Sequence, residues 1–389
     1  MTKAQTAAAL PIGLLAAGAF LGNSAARVVD PLLHVIASDF ATTVPAVSVL
    51  IAAFTLPYGL CQIVLGPLGD KFGKLRVILL ALCAYAIALL GCALSTGLGT
   101  LTLMRIAAGA TSAAAVPIGM AYIADAVPYA ERQVTLTKFL NGVVLAQILA
   151  GPVGGIFGQF IGWRGVFALQ AAVTIVVATI LARRLRHLPD PRGAGATFSL
   201  SNYITLARPG LPRLILLAAF IDGMLLMGAI PFLAPYMREQ FGLPYAAIGA
   251  VLACFGLGAL IYTRSARHLL ARLGESGLVL AGGILASAAL LLAMLSPAWQ
   301  AFILVQLILG LGYYLLHSVL QAQATEMLPN ARGTAVASFA LALFLGQSLG
   351  ALVMGALIAH FSYHTAFLLD AAGILALGAW LRLLLRPAP

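Results

Sequence analysis

Residues 66–76 read Gly-Pro-Leu-Gly-Asp-Lys-Phe-Gly-Lys-Leu-Arg, a short charged stretch between two long apolar runs. Its glycines allow backbone angles that other residues avoid, so the chain can reverse direction tightly here. Three cations and the carboxylate of Asp70 lie close together where the apolar character is interrupted. We expect this stretch to be a turn between two membrane helices, at one surface of the bilayer.

The composition is that of a chain lying mostly in a membrane. Of the 389 residues, 62% are hydrophobic and 8% are charged, and the mean hydropathy is +1.04. A soluble globular protein needs more charge on its surface. The four cysteines all lie inside apolar runs without paired spacing, so we expect neither disulfides nor a metal site, and no cofactor.

Apolar length and turn punctuation predict an all-α membrane protein with twelve transmembrane helices. The predicted helices cover residues 9–37, 44–65, 77–97, 99–125, 134–160, 164–184, 212–238, 244–264, 277–296, 298–325, 334–360 and 364–385. The first resembles a signal peptide, but its apolar character continues past Ala26 to Ile36, so we interpret it as a helix. The longest polar segment predicts a six-helix bundle at 1–184, a cytoplasmic linker at 185–211 and a second six-helix bundle at 212–389.

The cations predict the orientation of the chain. Most of the 22 Lys and Arg lie at the termini, in the linker or in loops after even-numbered helices; Arg164 and Arg238 lie on the other side, and Arg27 and Arg105 lie within helices. The cation-rich side is cytoplasmic. We therefore expect cytoplasmic termini in a multi-pass protein of a bacterial-type inner membrane. This placement explains the net charge of +11 without a nucleic-acid partner.

The two halves of the sequence repeat each other at a shift of about 200 residues. Gly109 then aligns with Gly310, and Arg105 with Gln306, while Asp39 aligns with Gln240. Such a repeat implies a pseudo-two-fold axis and a central cavity near the middle of the bilayer.

Three motifs carry a resemblance to a known family. The pattern G-x-L-x-D-[RK]-x-G-[RK] at 66–74 closely resembles the signature between helices 2 and 3 of the major facilitator superfamily, a group of secondary transporters. Residues 101–109 are similar to its helix-4 signature, with Ala108 in place of the usual Gln. The small residues Gly151, Pro152, Gly154 and Gly155 resemble a helix-5 signature of the antiporter branch, and Pro152 is expected to bend that helix.

The resemblance implies a monomeric secondary transporter that works by alternating access, with a small-molecule substrate, protons and the lipid bilayer as its partners. The helix-5 motif favours the twelve-helix drug:proton antiporter branch, hence efflux and multidrug resistance. Arg105 would be linked to proton coupling, and Asp70 would face the N-terminus of helix 11. A cytoplasmic gate would comprise Gly66, Asp70, Lys71, Gly73, Lys74, Arg76, Asp125 and Arg132.

Ionisable residues within the membrane are the candidates for coupling, because each is costly there. Asn23, Arg27, Asp30 and His34 form one stripe of helix 1. Asp30 is a candidate proton carrier beside Arg27, and the alternative is a static buried pair. Asp222 is interpreted as a second, unpaired intramembrane carboxylate. Asp370 is expected to be structural or interfacial.

Further polar and aromatic side chains are expected to line a substrate cavity. Helix 10 contributes most of them, and Met224 and Met227 would form a pliable surface. The remaining candidates are Asn141, Gln147, Gln306, Tyr313, Tyr314, His317, Gln321 and Gln347. For His317 the alternative is a neutral packing residue.

Three other functions remain open at this point. Arg27 and Arg105 could bind the anionic group of a metabolite in a proton symporter or an exchanger. A transport-dead sensor would bind its ligand without flux. A membrane enzyme is disfavoured, because the sequence has no metal-ligand spacing, nucleophile elbow or phosphate loop. The favoured function is a proton-coupled antiporter that exports a small amphipathic drug or metabolite.

Overall fold

The computed structural model describes residues 10–185, 188 and 200–385, and this part of the chain is helical and contains no strand. In chain order the α-helices are α1 (Ile12–Arg27), α2 (Leu33–Asp39), α3 (Val44–Val47), α4 (Val49–Phe72), α5 (Lys74–Ala93), α6 (Leu98–Ser112), α7 (Ala115–Ala126), α8 (Tyr129–Pro152), α9 (Gly158–Leu185), α10 (Leu200–Ala207), α11 (Leu211–Asp222), α12 (Leu233–Phe241), α13 (Tyr245–Leu295), α14 (Ala301–Glu326), α15 (Arg332–His360) and α16 (Tyr363–Leu384). Short 3₁₀ or π segments lie at Asp30–Leu32, Val153–Phe157, Gly223–Met227, Ile230–Phe232 and Pro329–Ala331. The helix α10 lies in the predicted linker.

Ten helical segments of the described ranges are long and apolar enough to cross a membrane. Two of them, Ala130–Leu185 with 56 residues and Tyr245–Leu295 with 51 residues, are much longer than a bilayer requires. Each contains a glycine with a positive φ, Gly162 at 70° and Gly274 at 64°. Glycine adopts this backbone angle without the steric cost that a side chain brings.

The chain reverses within α13. Gly258 lies against the backbone of Leu307, and Gly282 lies against the backbone of Gly312, both on α14. A straight helix would separate Gly258 from Gly282 by about 36 Å, whereas their contacts on α14 lie about 8 Å apart along the helix. The reversal occurs at Gly274, between the predicted helices 244–264 and 277–296.

The sequence repeat is also a repeat of contacts. Gly109 lies against the backbone of Phe54, and Gly310 lies against the backbone of Phe255 in the same way. Close approach of two helix backbones requires a residue without a side chain at these positions. The N-terminal half of the chain (up to Leu185) and the C-terminal half (from Leu211) therefore pack their helices alike at this point.

A second pair of contacts refines the repeat. Trp163 donates a hydrogen bond to Asp39 at 3.1 Å, and Tyr363 donates one to Glu239 at 3.0 Å. The expected alignment of Asp39 with Gln240 is wrong by one residue, since Glu239 makes the equivalent contact. Arg164 also contacts Asp39 at 2.5 Å and bonds the Ser95 carbonyl, which brings three chain reversals together at one face.

We call the face around Asp39, Trp163, Glu239 and Tyr363 the cation-poor face. The opposite, cation-rich face carries the chain reversals near Gly73, Asp125, Gly274 and Glu326; Lys74 contacts Asp125 there, and Gln323 contacts Glu275.

The two halves of the chain meet towards the cation-poor face. Thr55 on α4 and Ser348 on α15 share a hydrogen bond of 2.7 Å. Gly155 lies against the backbone of Tyr245 and Gly249 at the start of α13. These contacts hold the two halves together towards this end.

Candidate functional site

A cavity of about 90 Å³ lies between the two halves of the chain. Amide, guanidinium and phenol groups in its wall alternate with aromatic and aliphatic side chains, which suits a small amphipathic ligand. It is lined by Gly22, Asn23, Ala26, Arg27, Phe54, Tyr58, Gln147, Met227, Tyr313, Leu343, Phe344 and Gln347. A pocket of about 20 Å³ shares Arg27 and Gln147 with it and adds Asp30, Gly151, Ile230, Leu252, Phe255 and Gln306.

The first membrane-spanning segment is not a continuous α-helix at the site. Helix α1 ends at Arg27, and the 3₁₀ turn Asp30–Leu32 follows, with Pro31 in it. Proline lacks the N–H that a continuing α-helix needs. The expected stripe of four polar residues is therefore broken, and His34 on α2 points to a different pocket from Arg27.

Arg27 connects the two halves of the chain. Its guanidinium lies 3.9 Å from the Asp30 carboxylate, donates to the Met227 sulfur at 3.3 Å, and lies 5.1 Å from the centroid of the Phe255 ring. Asp30 is buried, and its Oδ1 has no hydrogen-bond partner among the described residues. The ion pair is thus long and incompletely satisfied, unlike a tight structural pair.

Arg105 is fully buried outside the lining of both pockets. It donates to the carbonyl of Ala25 at 2.9 Å and to that of Leu50 at 3.3 Å, and it stacks 4.4 Å from the Phe54 ring centroid. It therefore ties α6 to α1, two residues before Arg27, and to α4. Arg105 therefore contacts the backbone of α1 and α4 rather than the cavity.

Asp222 is paired, so the expectation of a lone carboxylate is wrong. His317 lies 2.8 Å from it, with Nδ1 facing Oδ2. The His317 ring stacks on Tyr313 with centroids 4.7 Å apart, and Tyr313 lines the cavity. The partners lie 95 residues apart on α11 and α14, a separation that a single sequence cannot bridge. Asp370 is buried rather than interfacial.

The other predicted cavity residues divide into two groups. Asn23, Gln147, Met227, Tyr313 and Gln347 line the cavity, and Gln306 lines the small pocket with both amide atoms unpartnered among the described residues. The residues outside both linings are His34, Asn141, Met224, Tyr314, His317 and Gln321. Of these, Asn141 and Gln321 are exposed, and Tyr314 packs behind Phe255.

Six residues of the cavity lining were missed from sequence: Gly22, Ala26, Phe54, Tyr58, Leu343 and Phe344. Aromatic and aliphatic residues are common in membrane helices, so their identity gives no signal of a cavity. The spacing of Phe54 and Tyr58, four residues apart on one face of α4, was the one usable pattern.

A separate pocket of about 610 Å³ lies at the cation-poor face. His34, Ser38 and Thr43 from the N-terminal half face Glu239, Tyr363 and other residues of the C-terminal half across it. His34 is within 3.3 Å of the Tyr245 hydroxyl, so this pocket ends at a contact between the halves.

Comparison with known proteins identifies the family. The model of the Major Facilitator Superfamily matches residues 13–209 and 215–389. The chain belongs to the Major Facilitator Superfamily. It is accordingly a membrane transporter and not an enzyme.

Relatives of this Major Facilitator Superfamily chain align along nearly its whole length. A probable sugar efflux transporter of Helicobacter pylori (strain HPAG1) is 26% identical, with 97% of this chain and 96% of the relative covered. A chloramphenicol resistance protein of Streptomyces lividans is 28% identical, with 90% of each covered. The solved nucleoside transporter NupG shares the fold with a TM-score of 0.79 at 12% identity, covering 97% of this chain and all of that one.

The family's charged turn is shorter than the sequence predicts. Helix α4 continues to Phe72, so Gly66 lies within it, and Gly73 at φ 98° makes the reversal. Lys74 donates to Asp70 at 2.6 Å and to Asp125 at 2.7 Å. Asp70 is thus paired within the N-terminal half, whereas the resemblance implied that it faces the N-terminus of α15.

The other predicted gate residues lie around this cluster. Lys71 extends over the Phe72 ring, 5.3 Å from its centroid. Arg76 is exposed, and Arg132 donates to the Val127 carbonyl at 3.5 Å. At the start of α15 it is Arg332 that pairs with Glu326.

Lys74→Met is expected to lower the thermal unfolding midpoint by several degrees. The buried ammonium bonds two carboxylates, and its loss leaves them repelling each other, at about 2 kcal/mol after allowance for their partial exposure. Lys71→Met, at the exposed neighbouring lysine, is the matched control and should leave the midpoint unchanged. Equal shifts in both variants, measured by thermal unfolding in detergent, would contradict this role for Lys74.

The helix-5 motif forms a contact between three helices. Gly154 lies against the backbone of Val28 beside the 3₁₀ turn, and Gly151 and Gly155 lie against α13. After Pro152 the helix widens into the π segment Val153–Phe157. The motif therefore joins the segment that carries Arg27 and Asp30 to the C-terminal half.

Proposed function

We propose that this transporter is a proton-coupled antiporter that exports a small amphipathic molecule, with Arg27 and Asp30 as its coupling site. The supporting observation is their place at the junction of the halves: Asp30 is buried with an unpartnered oxygen, beside an arginine that also contacts Met227 and Phe255. A buried ionisable group in a membrane helix is costly and is retained for a function.

The proposed topology has twelve transmembrane helices in two six-helix bundles, 1–184 and 212–389, joined by the linker 185–211. Ten candidate spans and the positive-φ glycines Gly162 and Gly274 within the two longest support it. The cation-rich face is assigned to the cytoplasm. The membrane is then a bacterial inner membrane, with both termini inside and one chain as the working unit.

The proposed substrate is small, amphipathic and without an obligatory charge. The cavity offers amides from Asn23, Gln147 and Gln347 and aromatic surface from Phe54, Tyr58 and Phe344. The sugar efflux and chloramphenicol resistance relatives are named for polar, uncharged compounds, which supports this class.

Coupling is proposed to work through the charge of Asp30. When Asp30 is ionised, it attracts the Arg27 guanidinium 3.9 Å away. A proton removes that attraction, so Arg27 turns towards its contacts in the C-terminal half. Because a proton shifts a two-state equilibrium only by binding one state better, the state-dependent distance between Arg27 and Asp30 sets the strength of coupling.

Other buried polar residues have supporting roles in this proposal. Arg105 holds the α1 backbone two residues before Arg27. Asp222 and His317 form a second proton-binding site. The His317 ring stacks on Tyr313, which lines the cavity.

The contacts at the cation-poor face support an inward-open arrangement, in which rocking of the halves would close the cytoplasmic side. The cytoplasmic gate would then include Gly66, Asp70, Lys71, Gly73, Lys74, Arg76, Asp125 and Arg132. In the present state Lys74, Asp70 and Asp125 are bonded to one another within the N-terminal half.

One observation favours a second candidate function, the symport or exchange of a small organic anion. The Arg27 guanidinium lies in the cavity wall and could bind a carboxylate. Arg105 is engaged with two backbone carbonyls outside that wall, so a clamp of two arginines is not available in this state.

The test is substrate-driven proton movement in inside-out vesicles with an acidic lumen. The panel contains chloramphenicol, neutral sugars, lipophilic cations and organic anions. Proton release from the lumen on adding one uncharged or cationic class is the expected result. If labelled organic anions exchange while no compound releases protons, the antiporter is excluded and the anion transporter takes its place.

A further inference from the structure

A groove on the outside of the N-terminal half is separate from the transport pathway. It encloses about 660 Å³ between a stripe of α5, from Leu79 through Cys83 to Leu90, and a stripe of α9, from Ile175 to Arg183. Apart from Thr179 and Arg183, its lining is apolar. Two of the lining side chains, Ile87 and Ile175, are 69% and 45% exposed. The groove therefore opens towards the bilayer.

The length of the groove matches one leaflet. Leu79 and Leu90 are eleven residues apart on α5, about 16 Å along a helix, and the hydrocarbon core is about 30 Å thick. One end lies at the cation-rich face, where α5 begins and α9 ends. The groove therefore begins near the headgroups of that leaflet and extends past the middle of the bilayer along α5, because Leu90 is 16 residues, about 24 Å, from the start of that helix.

Among the described residues, the only charge in the lining lies at the headgroup end. Arg183 is exposed and has no ion-pair partner among the described residues. An arginine near the end of a membrane helix extends to the interface, where its planar guanidinium can bond two phosphate oxygens at once. An apolar slot about as long as an acyl chain, with a cation at its headgroup end, is complementary to an amphiphile with an anionic head.

We propose that this groove binds an anionic phospholipid of the cation-rich leaflet, with one acyl chain between α5 and α9 and the phosphate at Arg183. A soluble ligand would not reach this depth, and a zwitterionic lipid would carry its own cation beside the guanidinium. The proposed lipid site includes neither the lining of the central cavity nor Arg27 and Asp30. The experiments on it are therefore independent of the transport proposal.

The first experiment measures lipid retained by the full-length protein. The protein is equilibrated in nanodiscs of equimolar phosphatidylglycerol and phosphatidylcholine, re-extracted in mild detergent and analysed by mass spectrometry. Phosphatidylglycerol should be enriched about fivefold, the effect of one cation near an anionic headgroup. Arg183→Gln should remove the enrichment, whereas Arg184→Gln, at the adjacent exposed arginine outside the groove, should retain it.

A second measurement locates the lipid. Cys83 lies in the groove and is exposed; with the other three cysteines replaced, a bimane on Cys83 should be quenched by brominated phosphatidylglycerol at a several-fold lower mole fraction than by brominated phosphatidylcholine. Equal quenching by both lipids, no enrichment in the wild type, or equal losses in Arg183→Gln and Arg184→Gln would each overturn the proposal.

Discussion

Asp30→Asn is expected to abolish uphill export while leaving the binding cavity intact. The amide has the shape of the protonated acid but cannot release a proton, so a pH gradient no longer biases the two states. Net export against a concentration gradient should fall by about 100-fold or more, to the level of vesicles without the protein. Exchange of labelled for unlabelled substrate needs no net proton transfer, and it should persist.

The matched control is Asp370→Asn. Asp370 is also a buried carboxylate with an unpartnered oxygen among the described residues, but it lines neither central pocket. It should retain uphill export. If Asp30→Asn still concentrates substrate against its gradient, or if both variants lose export and exchange alike, Asp30 is not the coupling group.

Gly155→Leu is expected to force the halves of the chain apart at the cation-poor face. A side chain at this position would overlap the backbone of Tyr245 and Gly249, and backbone atoms cannot move aside as a flexible side chain can. Transport should fall by at least about tenfold because the closed contact can no longer form.

The opening can be measured at Thr55, which is buried at the contact with Ser348. In a variant without native cysteines, Thr55→Cys should react several-fold faster with a membrane-impermeant maleimide when Gly155→Leu is present. Gly99→Leu makes the same change in α6, where an added Cβ would meet no atom within 4 Å beyond its own helix turn, and it should leave labelling and transport unchanged. Unchanged labelling with Gly155→Leu would show that this contact does not close the cation-poor face.

Much of the architecture was predictable because membrane helices leave strong signals in sequence. Apolar length and charge placement can be read directly from the sequence, and so can the repeat. The assignment to the Major Facilitator Superfamily is confirmed. The repeat also anticipated the matching contacts at Gly109 and Gly310. Its register near Asp39 was off by one residue, since an alignment of two diverged halves cannot fix single positions.

The candidate site was only partly predictable. Arg27 and Asp30 were found because charge is rare within membrane helices. The pairing of Asp222 with His317 depends on the packing of α11 against α14, and the position of Arg105 away from the cavity depends on which carbonyls it reaches. Leu343 and Phe344 could not be distinguished from ordinary membrane residues, and only their spacing on one helix face set Phe54 and Tyr58 apart. Long-range packing, which one sequence does not encode locally, decided each of these.

The most direct measurement is proton release on substrate binding to the purified transporter. The compound with the largest response in the vesicle panel is added to protein in weakly buffered detergent solution, and the pH is followed with a dye. Export by antiport predicts that wild-type protein releases protons in proportion to the substrate bound, and that Asp30→Asn binds substrate but releases none. Binding without proton release by the wild-type protein, or equal release by Asp30→Asn, would contradict coupling at Arg27 and Asp30.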